Sequence, residues 1–375
     1  MTTTAGRHRA WLDIDHGALA ANVATMRGLA APGTELIAVV KANAYGHGAV
    51  EVSETLTALG AERLAVATVS EAAELRSAGQ DGPLLVLWGI GTEDAPAVAG
   101  LGLEPMVDNP AVVGALAAAA AQDGRRIGVH LKVDTGLGRQ GIEPGEAVAL
   151  ARQIAGSSDL AQAGTMTHLA APDDASLTAL QLERMASVLD DLRASGIDPG
   201  LVHVAGTGAV LAGVGAFADA IRPGIGLYGL APVGHTIAGI DLRPVLTLRA
   251  LPLRVFEVDP GTPIGYGMRW TAARQSRLAT LPIGYGDGWP RSHLNNGWAL
   301  VRGQRVPMVG AISMDGLVVD ISDAGSVGLD DEFVLIGRQG DESITADEVA
   351  AQRQTINYEV TTMLRGRLPR RHHRP

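Results

Sequence analysis

The sequence predicts an α/β chain: a (β/α)8 TIM-type barrel over residues 10–243, followed by a C-terminal β-rich domain over residues 244–375. Three observations carry this reading. Short apolar strands alternate with Ala/Leu-rich stretches between residues 35 and 230, the pattern of a parallel sheet. Eight such strands can be counted, the number that closes a barrel. After residue 244 the helical stretches give way to short β-prone runs closely punctuated by Pro and Gly.

The barrel strands are expected, in order, at Leu36–Lys41, Leu64–Thr68, Leu84–Trp88, Glu104–Val107, Ile127–Val133, Ala163–His168, Leu201–Ala205 and Ile221–Gly226. Helical spacing fills the gaps, as in Val52, Leu56 and Leu59, or Leu182, Met185, Leu189 and Leu192. The first strand–helix junction, Gly46-His47-Gly48, lacks the GxGxxG spacing of a dinucleotide fold. The second domain reads as strands Leu246–Leu251, Arg254–Val258, Ser276–Pro282, Gly297–Val301, Arg305–Val309 and Leu317–Ile321, with an amphipathic segment at Ala346–Arg353. The opening strand, within residues 1–14, is free to pair with this domain. The basic tail Arg370-Arg371-His372-His373-Arg374 reads as frayed.

Composition narrows the function. The chain has 375 residues, 46% hydrophobic and 19% charged, which suits a globular protein of two domains. A net charge of −10 argues against nucleic acid or a membrane surface as partner. With no cysteine there is no disulfide, thiolate nucleophile or Cys-ligated metal. No apolar run reaches transmembrane length, and Met1–Arg9 lacks a signal peptide's apolar centre, so a cytoplasmic enzyme is the expectation.

Lysine is scarce, and Lys41 stands where the buried run Leu36–Val40 ends. Partial desolvation there favours the neutral amine that Schiff-base chemistry needs, although a lysine at a strand end can also simply snorkel to water. Chemistry in such a barrel sits at the carboxyl ends of the strands. Those ends carry Lys41 with Tyr45, Trp88, Lys132 with Asp134 and Arg139, His168, Gly206 with Thr207, and Arg222 with Gly224. Cations converging on one face of an acidic chain imply an anionic ligand. Ala205-Gly206-Thr207-Gly208 and Arg222-Pro223-Gly224-Ile225-Gly226 look like phosphate holders, offering backbone N–H groups, a hydroxyl and close backbone approach.

The segments Val39–Gly48, Lys132–Arg139, Thr167–Ala170, Arg222–Gly229, Gly284–Arg291, Ser313–Asp315 and Ile356–Glu359 resemble, in order and spacing, the motifs of the alanine racemase family. The similarity covers essentially the whole chain. It implies racemisation of L- and D-alanine with pyridoxal 5'-phosphate, supplying D-alanine for peptidoglycan, in a homodimer with shared active sites. Lys41 then binds the cofactor aldehyde and serves as one base. Tyr266, from the partner subunit, is the second. Arg222 faces the pyridine nitrogen; Tyr45, Thr207, Gly224, Ile225 and Tyr358 hold the phosphate; Trp88 and His168 flank the cofactor. Arg139 and the Met314 backbone N–H receive the substrate carboxylate, and Lys132 matches a lysine carried as a carbamate. Asp173, Tyr285 and Arg291 border the access corridor. Racemisation removes a proton from one face of Cα and returns one to the other, so bases on opposite faces suit it. A tyrosine base works as phenolate, and phenols ionise near ~10, so nearby cations, acting through the His168–Arg222 chain, would favour the charged form.

The chain departs from the family where an Asn-Ser pair becomes Gly206-Thr207, at Ala311 in place of an arginine, at Gly316, at Pro172, and at Leu137 for a methionine. A roomier, less charged corridor puts strict alanine specificity in question. The competing readings are a racemase of the same fold with broader or different amino-acid specificity, an amino-acid decarboxylase, which would ordinarily show a site cysteine, and a non-catalytic carrier of the same cofactor, which would lack the β domain.

Overall fold

The structure is a computed structural model that describes residues 8–214, 218–232 and 239–375. The stretch read above for a missing signal peptide lies, up to residue 7, outside them. Two compact units emerge, one spanning residues 20–227 and the other residues 243–375 together with the N-terminal strand.

In the second unit, β1 (Ala10–Asp15) pairs antiparallel with Leu246–Ala250. The barrel unit is built from β2 (Glu35–Val39), β3 (Arg63–Val66), β4 (Leu84–Val86), β5 (Glu104–Val107), β6 (Ile127–Lys132), β7 (Leu160–Met166), β8 (Leu201–His203) and β9 (Ala220–Arg222). All neighbours are parallel, and β9 pairs with β2. The eighth position is one run broken at Val204: β8 pairs with β7, and its continuation Ala205–Gly206 pairs with β9, so the ring closes. Each strand is a near-continuous apolar run because both its faces are covered; Leu36, Ile37 and Ala38 are fully buried. Six of the eight strands are shorter than the sequence reading had them; Glu104–Val107 is as expected, and β7 begins three residues earlier, at Leu160, and ends at Met166. Lys41, Trp88 and His168 lie one to two residues beyond a strand, in the loops that follow.

Local chemistry starts the helices between the strands. Thr68 caps Val69–Ser77 in a reciprocal box with Glu71, Asn109 caps Pro110–Asp123 with proline at the first position, and Asp174 caps Ala175–Ala194. Gly102 and Gly124 end their helices in the left-handed conformation.

The second unit is a mostly antiparallel sheet. Its strands run in the order Arg254–Val258, Ser276–Leu281, Leu317–Asp320, Gln304–Val309, Trp298–Val301, Phe333–Gln339, Leu246–Ala250, β1, Arg370–His373. The tail is therefore not frayed. Arg370–His373 lies parallel to β1, with Arg371 over the Trp11 ring at 4.0 Å and His373 2.8 Å from Asp13. Long-range pairing with an edge strand overrides the solvated look of four basic residues.

Candidate active site

Lys41 opens an unusual turn. Ala42, Asn43, Ala44 and Tyr45 all have φ between +51° and +54°, one turn of left-handed helix made without glycine. Steric conflict makes this cost roughly 1–2 kcal/mol per residue. The turn is over-determined by its bonds. The Ala44 N–H donates to Val40 O (2.8 Å), Gly48 N–H to Asn43 O (3.0 Å), and Ala49 N–H to Asn43 Oδ1 (2.8 Å). From the neighbouring helix, Glu71 Oε1 accepts the Ala42 N–H at 2.7 Å. Such stored strain clusters at functional sites. Burial first, then Arg139 and Arg222, push the Lys41 amine below its ordinary range, against an opposing pull from Glu71. Lys41 and Lys132 are the only lysines in the chain.

Arg222 ends β9 in a buried position and is fully engaged. It donates to Thr167 O (2.7 Å), His203 Nδ1 (2.7 Å) and Val204 O (3.3 Å), with His168 Nδ1 at 3.4 Å. Burial lowers its guanidinium to about 9, which leaves it cationic at neutral pH. A guanidinium only donates, so His203 Nδ1 accepts and its Nε2–H points to His130 Nδ1, 2.8 Å away. His130 Nε2–H in turn reaches Glu104 Oε2 at 3.3 Å, and Glu104 pairs with Arg63 at 3.2 Å. Arg63 also pairs with Glu35. Glu35, Arg63 and Glu104 begin their strands while Arg222 ends one, so this polar file crosses the barrel from end to end. Burial and Arg222 hold His203 and His168 well below the ordinary imidazole range. His168 is thus a neutral imidazole, and the positive charge of the His168–Arg222 chain resides on Arg222.

Beside Arg222 is a cradle. Thr207 Oγ1 accepts the N–H groups of Gly224 (3.0 Å) and Gly226 (3.2 Å), leaving its own hydroxyl proton for another acceptor. A Cβ built on Gly224 would fall 2.2 Å from Tyr45 Oη, and one on Gly226 2.8 Å from Thr207 Cγ2. These two glycines are required by close approach. Ile225 lies between them, buried. Gly206, read from the sequence as a lost amide, has a steric role: a Cβ there would sit 3.2 Å from His168 Cε1.

Lys132, the buried last residue of β6, is lowered to about 7 by burial, Arg222 and Arg139. Asp134 accepts the N–H groups of Gly136, Leu137 and Gly138 and so shapes the loop carrying Arg139, whose guanidinium lies 5.3 Å from the centre of the Trp88 ring. Asp173 lies in the exposed loop before Ala175–Ala194, away from the strand ends in sequence.

The remaining expected residues belong to the second unit. Tyr266 and Met314 are 70% and 52% exposed, high values for large side chains. Gly265, next to Tyr266, packs against Ala311, and the same loop continues to Met314. Gly286 N–H donates to Met314 O (2.8 Å), Tyr285 N–H to Ser313 O (3.1 Å), and Arg291 reaches Ile312 O at 3.5 Å. Tyr266, Tyr285, Arg291 and Met314 therefore gather on one face of this unit. Tyr358 sits on helix Asn357–Thr362, its phenol pushed up to about 12 by burial.

Sequence reasoning missed Glu71, Glu104, His130 and His203. A histidine inside a strand (His130, His203) was the available signal. Among the described residues no group of three or more His, Asp or Glu side chains is placed to hold a metal ion. The site suits an aldehyde-bearing phosphate ester: an amine of lowered basicity, a buried guanidinium, and a threonine hydroxyl proton beside two glycines that allow close approach.

Residues 14–232 match the family description "Alanine racemase, N-terminal domain", and residues 245–372 match "Alanine racemase, C-terminal domain". The chain is 40% identical over 372 residues to an alanine racemase of Symbiobacterium thermophilum, covering 97% of both chains. Its fold is similar to the crystal structure of alanine racemase from Bacillus anthracis with bound L-Ala-P, with a TM-score of 0.92, 35% identity, and coverage of 98% of this chain and 96% of the other. It is also similar to a histidine racemase of Leuconostoc mesenteroides subsp. sake, with a TM-score of 0.91, 28% identity and 99% coverage of both chains.

Proposed function

The chain belongs to the alanine racemase family, and on that premise we propose that it interconverts L- and D-alanine with pyridoxal 5'-phosphate held at the strand ends of the barrel. The observation that carries the reading is Lys41: a desolvated amine, held by a strained turn, beside a buried guanidinium and a hydroxyl–glycine cradle. When bound, the cofactor supplies a sink for the electron pair left at Cα.

The chain's own residues divide the remaining work. Lys41 binds the aldehyde and, with its basicity lowered by burial and by Arg139 and Arg222, exchanges a proton at one face of Cα. Tyr266, exposed and therefore available to a second subunit, serves the opposite face in a homodimer. Arg222, buried and cationic, would face the pyridine nitrogen of the cofactor and, because two adjacent cations repel, would disfavour its protonation. The neutral His168, with Nδ1 turned to Arg222, presents its Nε2–H as a donor to the Tyr266 oxygen. Thr207, Tyr45, Gly224, Ile225 and Tyr358 would hold the phosphate, and Trp88 would border the cofactor. Arg139 and the Met314 N–H bind the substrate carboxylate. Lys132, held near neutrality, is disposed to add carbon dioxide; as a carbamate it would turn from repelling Arg139 to orienting it. Intact mass after gentle preparation tests that step, and an unmodified Lys132 would contradict it. Asp173, Tyr285 and Arg291 border the access corridor. The setting is cytoplasmic, with D-alanine passing to peptidoglycan.

Formation of D-alanine from L-alanine, followed by chiral chromatography and abolished in Lys41→Ala, tests the function. A second reading, broader amino-acid specificity, is favoured by the similarity to a histidine racemase and by Gly206, Ala311 and Gly316. Relative exchange rates on alanine, serine and histidine separate the two.

A further inference from the structure

We propose that Glu71 is the positioning residue for Lys41: its carboxylate joins the ends of two adjacent strands and pins the left-handed turn from which the amine projects. Glu71 lies in the first turn of Val69–Ser77, the helix that follows β3. One carboxylate oxygen is committed locally, where Oε2 accepts the N–H groups of Ala67 (2.7 Å) and Thr68 (3.3 Å). The other reaches across to the neighbouring strand end, where Oε1 accepts the Ala42 N–H at 2.7 Å. Ala42 is the first left-handed residue and directly follows Lys41, so this bond fixes the peptide that sets the direction of the lysine side chain. A helix cap needs only the local half of this arrangement. The second half anchors a conformation that Ala-Asn-Ala would not hold alone.

The charge matters as well as the geometry. The groups acting on the Lys41 amine are Arg139, Arg222 and Glu71, and Glu71 alone favours the ammonium. Lys41 thus sits between two arginines and one carboxylate, and Glu71 moderates how far its basicity falls.

This inference rests on the proposed role of Lys41, and its test keeps the two apart. In the holoenzyme, borohydride trapping and peptide mass locate the cofactor; with only two lysines in the chain the assignment is unambiguous. Failure to find it on Lys41 in the unmutated enzyme overturns the proposed function itself. Given attachment, Glu71→Gln removes the charge and leaves an amide able to satisfy only one of the two strand ends. The Lys41 proton-transfer step should become more rate-limiting. The Cα-deuterium isotope effect then rises in the direction in which Lys41 removes the proton and falls in the other. The pH dependence of the bound cofactor's absorbance should move to lower pH. Thr68→Ala is the control, since it weakens the cap and leaves the bond to Ala42. Unchanged isotope effects and titration in Glu71→Gln, or the same changes in Thr68→Ala, would show Glu71 to be a helix cap only and overturn the proposal.

Discussion

Gly224→Ala is a sharp probe of the cradle. A Cβ there would meet Tyr45 Oη at 2.2 Å, Cζ at 2.8 Å and Cε2 at 3.2 Å. Gly224 does not need a positive φ, so the substitution tests space alone. Tyr45 is 8% exposed and ends the strained turn, so its ring cannot swing to water without loosening Lys41. To restore ordinary contact the ring must retreat by roughly 1 Å, an overpacking that costs about 1–3 kcal/mol. For a unit of this size that lowers the melting transition by about 2–12 °C. Removing the hydroxyl relieves the worst contact and leaves the one to Cζ, so Gly224→Ala with Tyr45→Phe should recover part of the loss, with a coupling near ~1 kcal/mol. Thermal melts of the four proteins, with equilibrium binding of pyridoxal phosphate, form the cycle. Strict additivity, or a Gly224→Ala protein as stable and as avid as the parent, would refute the reasoning that the Tyr45 ring fills this space.

Tyr266→Phe should bind the cofactor normally and lose most racemisation, because an exposed phenol contributes its proton chemistry and little packing; an unchanged rate would end the two-base reading. Gly164→Ala would set a Cβ 2.5 Å from His130 Nδ1 and 2.6 Å from Leu201 O, and should destabilise the barrel by about 1–3 kcal/mol, read by urea melts. In the second unit, burial and Arg353 hold His293 at about 4 against an ordinary 6.5. Between those values the unfolded chain binds a proton that the folded chain refuses, so stability falls as pH drops from 6.5 towards 4. The loss amounts to roughly 3 kcal/mol. His130, His168 and His203 add the same sign, and His293→Gln should flatten the pH–stability curve of its own unit.

The barrel was legible because parallel strands buried on both faces are written largely as apolar runs, which marked all eight positions even where a strand such as β7 carries Gln162 and Thr165. The strand-end chemistry of Lys41, Lys132, Thr207 and Arg222 was legible because polar residues at the ends of such runs are conspicuous. What was hidden depends on distant partners. In Ala42-Asn43-Ala44-Tyr45 only Asn43 favours the left-handed region; the bond from Ala42 to Glu71 and the room left by Gly224 come from elsewhere in the sequence. Single histidines on β6 and β8 carry no signal of each other in the sequence, and only the barrel brings His130 and His203 to 2.8 Å. The tail looked solvated because its partners, Trp11, Asp13 and His16, lie at the opposite end of the chain.

The most direct test of the account is the fate of L-alanine mixed with the purified protein and pyridoxal phosphate. D-alanine should accumulate towards an equal mixture, with Cα-proton exchange, lost in Lys41→Ala and nearly lost in Tyr266→Phe. Cofactor bound at Lys41 with no D-alanine formed, or racemisation that survives the loss of Lys41, would contradict it.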